Sequence, residues 1–155
     1  MKLFTTFARD ENGGVIAEAG LLLPLFISAG LGTLDLSNLM LQNHKLESQL
    51  SMASSYLSRS SDPTNWETVA KQLAVTGTKD GSGNVKIKGW STGDITITYQ
   101  AVANSNGEYR GDEDIRIVTV SSNVDYKGFG LLSSVMPNGI QLNASVEERL
   151  IGGGL

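Results

Sequence analysis

The feature that most constrains this chain is an apolar run near its beginning. Ala19 to Leu34 form sixteen residues without a charge, and as a helix they would span about 24 Å at 1.5 Å per residue. A hydrocarbon layer is roughly 30 Å thick, so Glu18 and Asp35 at the two ends of the run would lie near its interfaces. We therefore predict one membrane-spanning segment over about residues 15–41.

The helical pattern continues beyond this run, with a single apolar face. Seven positions recur in steps of three and four residues, and all but one are apolar: Leu36, Leu39, Asn43, Leu46, Leu50, Ala53 and Leu57. The spacing predicts one long helix over residues 14–61, apolar all round in its first half and amphipathic in its second. The stripe would form a coiled-coil stem with another chain, or it would pack on the downstream part of this chain.

The rest of the chain, residues 62–155, is predicted to form a small α+β domain. Asp62 is a candidate N-cap, with Pro63 as the first residue of a short helix. Four segments then alternate apolar and polar residues as strands do, at residues 85–88, 94–102, 114–122 and 139–149. An antiparallel sheet with one apolar face needs a cover, which the amphipathic half of the long helix would supply. The expected fold class is α+β, a long helix packed on a small antiparallel sheet.

The third of these segments has an irregular pattern. Ile115 and Ile117 are out of phase with Val118 and Val120. This irregularity predicts either a β-bulge or a strand with apolar residues on both faces.

The composition argues against several functions. The chain has a net charge of -4, no cysteine and one histidine, so nucleic acid is not expected as a partner, and a thiol nucleophile or a cysteine-ligated zinc is excluded. His44 is the single histidine, so a zinc-protease motif, which needs two, cannot be assembled, and no motif places a serine and an acid around it for a Ser-His-Asp triad. Glu147 and Glu148 are adjacent on a strand and would point to opposite faces. We expect no enzyme activity, no cofactor and no metal centre.

Two acidic segments have the oxygen ligands that calcium takes. Asp80–Asn84 is predicted to form a hairpin turn, because the later glycine and the closing glutamate of an EF-hand are missing. Asp112–Asp114 is predicted to be a solvated turn. Calcium binding at either segment is left open by the sequence.

The N-terminus allows three interpretations. Residues 1–13 form a short leader whose side-chain charges cancel and which ends at Gly13; Gly14 and the carboxylate of Glu18 follow it. A secretory signal peptide would be cut near Gly30, where small residues follow an apolar region. An uncleaved single-pass anchor would keep its first residue. Neither of these accounts gives a use to Glu18, whose burial without a partner costs several kcal/mol.

The third interpretation comes from a resemblance. The segment from Arg9 to Leu50, RDENGGVIAEAGLLLPLFISAGLGTLDLSNLMLQNHKLESQL, resembles the start of TadE-like minor pilins of the tight-adherence (Tad/Flp) pilus, a type IV pilin-like family. The shared features are a charged leader, a glycine at the cut, a glutamate five residues into the mature chain and an apolar run with proline. Asp35 matches a second acid further along the helix. The closing segment YKGFGLLSSVMPNGIQLNASVEER resembles the end of the same family, whereas Ala19 departs from its usual aromatic residue after the glutamate.

The resemblance implies a function and a set of partners. A prepilin peptidase would cut between Gly13 and Gly14, with an ambiguity of one residue, and the new amine could pair with Glu18 of a neighbouring subunit. Glu18 and Asp35 would serve recognition and assembly. The expected partners are the prepilin peptidase, other pilin subunits, the inner-membrane assembly platform and membrane lipid. The chain would cross the bacterial inner membrane once, with its C-terminal domain outside the cytoplasm, or enter the extracellular pilus in adhesion or secretion. The alternatives are a membrane-anchored binding module and a secreted β-rich protein released from a signal peptide.

Overall fold

A computed structural model describes residues 11–105, 107, 114–128, 130, 136 and 139–151, with side chains from residue 14 onward. Two helices precede three strands: α1 (Glu11–Ser58), α2 (Glu67–Thr76), β1 (Ile95–Val102), β2 (Ile115–Asp125) and β3 (Gln141–Arg149). The chain therefore has the expected α+β fold, a long N-terminal helix packed on a small antiparallel sheet. We call α2, the three strands and their connections the sheet domain.

Helix α1 is continuous over 48 residues although Pro24 lies inside it. Proline lacks the amide donor and crowds the preceding turn, and such a position is tolerated where other groups satisfy the freed backbone. The carbonyl left without this donor is that of Gly20, whereas the hydroxyl of Ser28 bonds to the carbonyl oxygen of Pro24 itself, at 2.8 Å. Residues 14–34 are exposed except for the half-buried Gly32, and we call them the exposed half. Residues 35–58 contact the sheet domain along one face, and we call them the docked half.

The apolar stripe of α1 packs on the chain's own sheet. Leu46, Leu50, Ala53 and Leu57 are fully buried, together with Val118, Val120 and Leu142 of the strands. Complete burial of a leucine stabilises a fold by about 1.5–3 kcal/mol, so these positions supply much of the attachment between helix and sheet. Of the two interpretations of the stripe, packing on the downstream domain is confirmed. The stripe begins one turn later than expected, because Leu36 is 47% exposed.

The sheet has three strands in the order β1-β2-β3, both pairs antiparallel. The four strands predicted from the sequence were one too many, because residues 85–88 form bends. Lys86 donates its amide to Val75 at 2.9 Å and Trp90 donates to Ile87 at 3.1 Å, which are contacts of a turning chain. Gly81 and Gly89 on either side have positive φ angles of 73° and 86°, and this left-handed backbone does not continue a strand. Ile87 is nevertheless buried in the core.

Strand β2 has no bulge. Its pairing with β1 runs without interruption from Ile95↔Ser122 to Val102↔Ile115. The inner face of β2, toward the helix, carries the buried residues Val118, Val120, Ser122 and Val124. Ile115 and Ile117 lie half-buried on the opposite face. The irregular pattern therefore reflects a strand with apolar residues on both faces.

Helix α2 begins later than the sequence predicts. Its first residue is Glu67 and its N-cap is Trp66, so the expectation of an N-cap at Asp62 was wrong. The Asp62 carboxylate instead accepts hydrogen bonds from the backbone and side chain of Asn65. Trp66 donates its amide to Pro63 at 3.2 Å, which closes a turn before the helix. The Trp66 ring then meets Tyr56 of α1 edge to face, with centroids 6.4 Å apart.

Candidate functional site

The exposed half of α1 carries a long run of apolar side chains, none of which belongs to the hydrophobic core of the described residues. Its most apolar 18-residue stretch has a mean hydropathy of 1.8 and no buried residue. Large side chains in it are between about two fifths and four fifths exposed: Val15, Ile16, Leu21, Leu22, Leu23, Leu25, Phe26, Ile27, Leu31 and Leu34. By length and composition this helix could cross a membrane.

Glu18 lies in the first turns of this helix with an exposed side chain. A carboxylate inside the hydrocarbon of a membrane is costly unless it lies near the interface or has a partner. The described part of the sheet domain does not cover it. Its predicted role in assembly stays a prediction.

The predicted cut between Gly13 and Gly14 lies inside α1, which extends back to Glu11. A Cβ atom built on Gly14 would meet nothing within 4 Å, so packing against the described residues does not require a glycine there. Glycine costs a helix roughly 1 kcal/mol relative to alanine. Two neighbouring glycines therefore make this end of the helix easy to unwind into the extended backbone that a peptidase cleft accepts.

Asp35, the second predicted assembly residue, is fully buried at the start of the docked half. The hydroxyl oxygen of Tyr126 lies 2.5 Å from Asp35 Oδ1 and 2.8 Å from its backbone oxygen. The single hydroxyl proton is shared between these two acceptors. Asn38, one turn along the helix, donates its side-chain amide to the same Tyr126 hydroxyl at 3.2 Å. The structure thus brings Asp35 together with its own sheet domain, far along the helix from Glu18.

The segment after β2 closes over this carboxylate. Burial first, and then the hydrogen bond to Asp35, raise the pKa of the Tyr126 phenol above its ordinary value, so the phenol remains a protonated donor. Gly128 lies so close that a Cβ atom there would collide with Asp35 Oδ1 and with the Tyr126 ring and hydroxyl. Sequence reasoning missed Asn38, Tyr126 and Gly128 as neighbours of Asp35. A tyrosine and a glycine just after a strand were the available signal, since glycine permits close approach of the backbone.

A second acid lies between the helix and the sheet. Glu148 of β3 is paired with Val118 and so faces α1. Three helix hydroxyls donate to its carboxylate: Ser54 at 3.0 Å and Ser55 at 2.9 Å to Oε2, and Ser58 at 3.3 Å to Oε1. Glu147 lies on the outer face opposite Thr119, as the strand pattern predicted. The two carboxylates point apart, so they do not form an acid/base pair.

The described residues offer no metal centre: among them no group of three or more histidine, aspartate or glutamate side chains is placed to hold an ion. Asp80 organises its own turn, accepting the amide of Ser82 at 3.2 Å and its hydroxyl at 2.9 Å on Oδ1. The backbone hydrogen bond and then the hydroxyl of Ser82 lower the Asp80 pKa. The turn expected at Asp80–Asn84 forms, but it does not join two strands. Asp112 and Glu113 of the other acidic segment lie outside the described residues.

His44 lies on the exposed side of α1. Its side chain is 79% exposed, and Nδ1 lies 3.6 Å from a carboxylate oxygen of Glu47 one turn along the helix. Such an exposed pair contributes little to stability even when the histidine is protonated.

Comparison with known proteins adds no relative. No protein family matches the chain in sequence, and no curated protein or solved structure is significantly similar to it. The resemblance to TadE-like pilins therefore rests on the residues quoted above.

Proposed function

We propose that this protein is a TadE-like minor pilin, processed by a prepilin peptidase and taking part in assembly of a Tad/Flp-type pilus. The mature chain would cross the bacterial inner membrane once through the exposed half of α1, with the sheet domain outside the cytoplasm. Its partners would be the peptidase, other pilin subunits, the assembly platform and lipid. It would be the substrate of an enzyme and have no catalytic activity of its own.

One observation carries the proposal. A single continuous helix has two halves of opposite character: residues 14–34 are exposed except for Gly32, whereas the docked half packs on the sheet domain along one face. A plain anchor needs an apolar helix but no rigid continuation of it into the domain. A subunit that assembles through its helix needs the apolar helix and also its rigid continuation into the domain. The sheet domain then fixes the direction in which the exposed half projects.

The placement of Glu18 and of the glycines supports the same proposal. Gly20, Gly30 and Gly32, like Gly14, have no described atom within 4 Å of a built Cβ. Small residues allow helices in membranes to approach closely. Glu18 faces outward among them, where an amine on a neighbouring helix would offset the cost of burying its charge.

Processing is tested by N-terminal sequencing of the membrane-bound protein, expressed in full length together with a prepilin peptidase. We expect a mature chain that starts at Gly14, or at Val15 within the ambiguity of one residue. A start near Leu31 would mean a discarded signal peptide, and an intact Met1 would mean an uncleaved anchor. Either result would overturn the proposal.

Assembly is tested by Glu18→Ala in the same system. We expect the variant to accumulate in the membrane but to be lost from sheared filaments, because the buried helix bundle would no longer hold the amine partner. Glu47→Ala is the matched control, since it removes an exposed carboxylate from the same helix outside the exposed half, and it should assemble normally. Normal assembly of Glu18→Ala would favour the membrane-anchored binding module.

A further inference from the structure

The docked half of α1 is held by the sheet domain in two different ways. From Leu46 onward the stripe is fully buried among apolar side chains. Between Asp35 and Leu46 the side chains that face the domain are only half-buried: Asn38, Leu39, Gln42 and Asn43. At the far end of this loosely held stretch lies the fully buried Asp35. A polar cluster therefore secures the end of the docked half that lies nearest the exposed half.

We infer that Asp35, Tyr126 and Gly128 form a latch, which holds residues 35–42 of α1 against the sheet domain and opens without unfolding the core. Proteins open in cooperative local units, and regions with little apolar burial open most easily. Residues 35–42 bury little apolar surface against the sheet domain, whereas Leu46, Leu50 and Leu57 are fully buried. This inference does not depend on the proposed function.

The latch is fixed on the side of the sheet. The amide of Tyr126 donates to the carbonyl oxygen of Ile140 at 2.7 Å, which ties the residue after β2 to the residue before β3. The Tyr126 ring packs against the apolar core. Its hydroxyl is therefore presented to the helix from a rigid support, and it is the helix that moves when the latch opens.

The closed latch leaves no space for a side chain at position 128. Since a Cβ atom at position 128 would collide with both the carboxylate and the phenol, the closed state requires a glycine there. Opening would expose the Asp35 carboxylate and free eight residues of helix, about 12 Å at 1.5 Å per residue. The closed latch thus conceals an acid that the open latch would present to another molecule, and it sets how far the free helix extends from the domain.

The test uses the full-length chain in detergent micelles. Because the protein has no cysteine, a single introduced thiol reports one position. Leu39→Cys places the thiol under the latch, and Ala144→Cys places it against the core on the inner face of β3. The rate of modification by a water-soluble maleimide is measured for each thiol, with the latch intact, with Tyr126→Phe and with Gly128→Ala.

We expect either latch variant to speed modification of the thiol at position 39 by about ten- to hundredfold, the equilibrium equivalent of losing a hydrogen bond to a charged group. The thiol at position 144 should keep its rate. Tyr56→Phe is the matched control, because this half-buried tyrosine also packs on the core, and it should change neither rate.

Two results would overturn the inference. Equal acceleration at positions 39 and 144 would mean that the contact supports the whole fold and is not a separate opening unit. Unchanged rates at both positions would mean that the contact does not hold the helix. Tyr126→Phe removes a single oxygen atom, so the measurement remains decisive if Gly128→Ala fails to fold.

Discussion

At the scale of single residues, Glu148 shows how a charge is accommodated between a helix and a sheet. Its carboxylate lies on the inner face of β3, between Val146 and Leu150, which both pack against the apolar core. Ser54 and Ser58, both fully buried, donate their hydroxyls to it, as does the half-buried Ser55. Hydrogen bonds to a charged group contribute about 1.5–3 kcal/mol, and they fail together if the acceptor is removed.

We expect Glu148→Ala to lower the free energy of unfolding by about 2 kcal/mol. The loss stays at this level because Ser54 and Ser58 retain backbone acceptors, at Ser51 and Ser55 respectively. Urea denaturation of the protein in micelles, followed by tryptophan fluorescence, measures the change. Glu147→Ala is the matched control on the outer face and should shift the free energy by less than about 0.5 kcal/mol. Equal losses for the two variants would contradict the structural role given to Glu148.

The sequence could place these acids on their elements but could not pair them. The alternation of β3 correctly separated Glu147 from Glu148, because a strand's side chains alternate strictly. The partners of Glu148 lie ninety or more positions earlier in the chain, and those of Asp35 include a tyrosine ninety-one positions away. Such pairings depend on how the helix lies on the sheet, which no local pattern encodes. The structure places Asp35 against Tyr126 of its own sheet domain, and its expected role in assembly stays a prediction.

At the scale of secondary-structure elements, the end of α2 depends on one backbone conformation. Gly77 has a left-handed φ of 78°, and its amide donates to the carbonyl oxygen of Leu73 at 2.8 Å. A residue with a Cβ atom is disfavoured there by about 1–2 kcal/mol. A Cβ atom would also approach the end of the Lys86 side chain at 2.8 Å, but that flexible chain can move away.

We therefore expect Gly77→Ala to cost about 1 kcal/mol of stability, measured as a lower midpoint of thermal or urea unfolding. The matched control is Gly93→Ala, in the turn before β1. Its Cβ atom would meet only the Ser91 hydroxyl at an ordinary 3.6 Å, so the variant should be neutral or slightly stabilised. A loss of stability at Gly93 as large as that at Gly77 would contradict the role given to the left-handed cap.

Elements with strong periodicity were predicted well, and those defined by turns were not. The stripe of α1 repeats over many turns, so its docking face could be read from the sequence. Residues 85–88 alternate over only four positions, and the flanking glycines turned the chain before a strand could form. Pro63 can begin a helix, yet here it begins a turn, and after this turn the Trp66 ring packs against Tyr56. In these short segments, tertiary contacts outweighed local preference.

At the scale of the whole molecule, α1 joins an exposed apolar segment, which suits a membrane, to a folded sheet domain, which suits water. The apolar side chains of the exposed half are exposed, and none of them belongs to the hydrophobic core of the described residues. The core draws on α1 only from Leu39 onward. The docked half and the sheet domain thus contain the described core, while the exposed half has the length and composition of a helix that could cross a membrane.

A chain that begins at Thr33 should therefore be soluble without detergent and should unfold at nearly the same urea concentration as the full chain in micelles. Analytical ultracentrifugation and urea denaturation measure the two properties. A chain that begins at Ser51 is the control. It lacks Leu46 and Leu50, whose burial contributes about 3–6 kcal/mol together, a large part of the roughly 5–15 kcal/mol that stabilises a typical domain. The shorter chain should be unfolded or aggregated. If the chain beginning at Thr33 behaved in the same way, the exposed half would contribute to folding of the domain, and its assignment to the membrane would lose its main support.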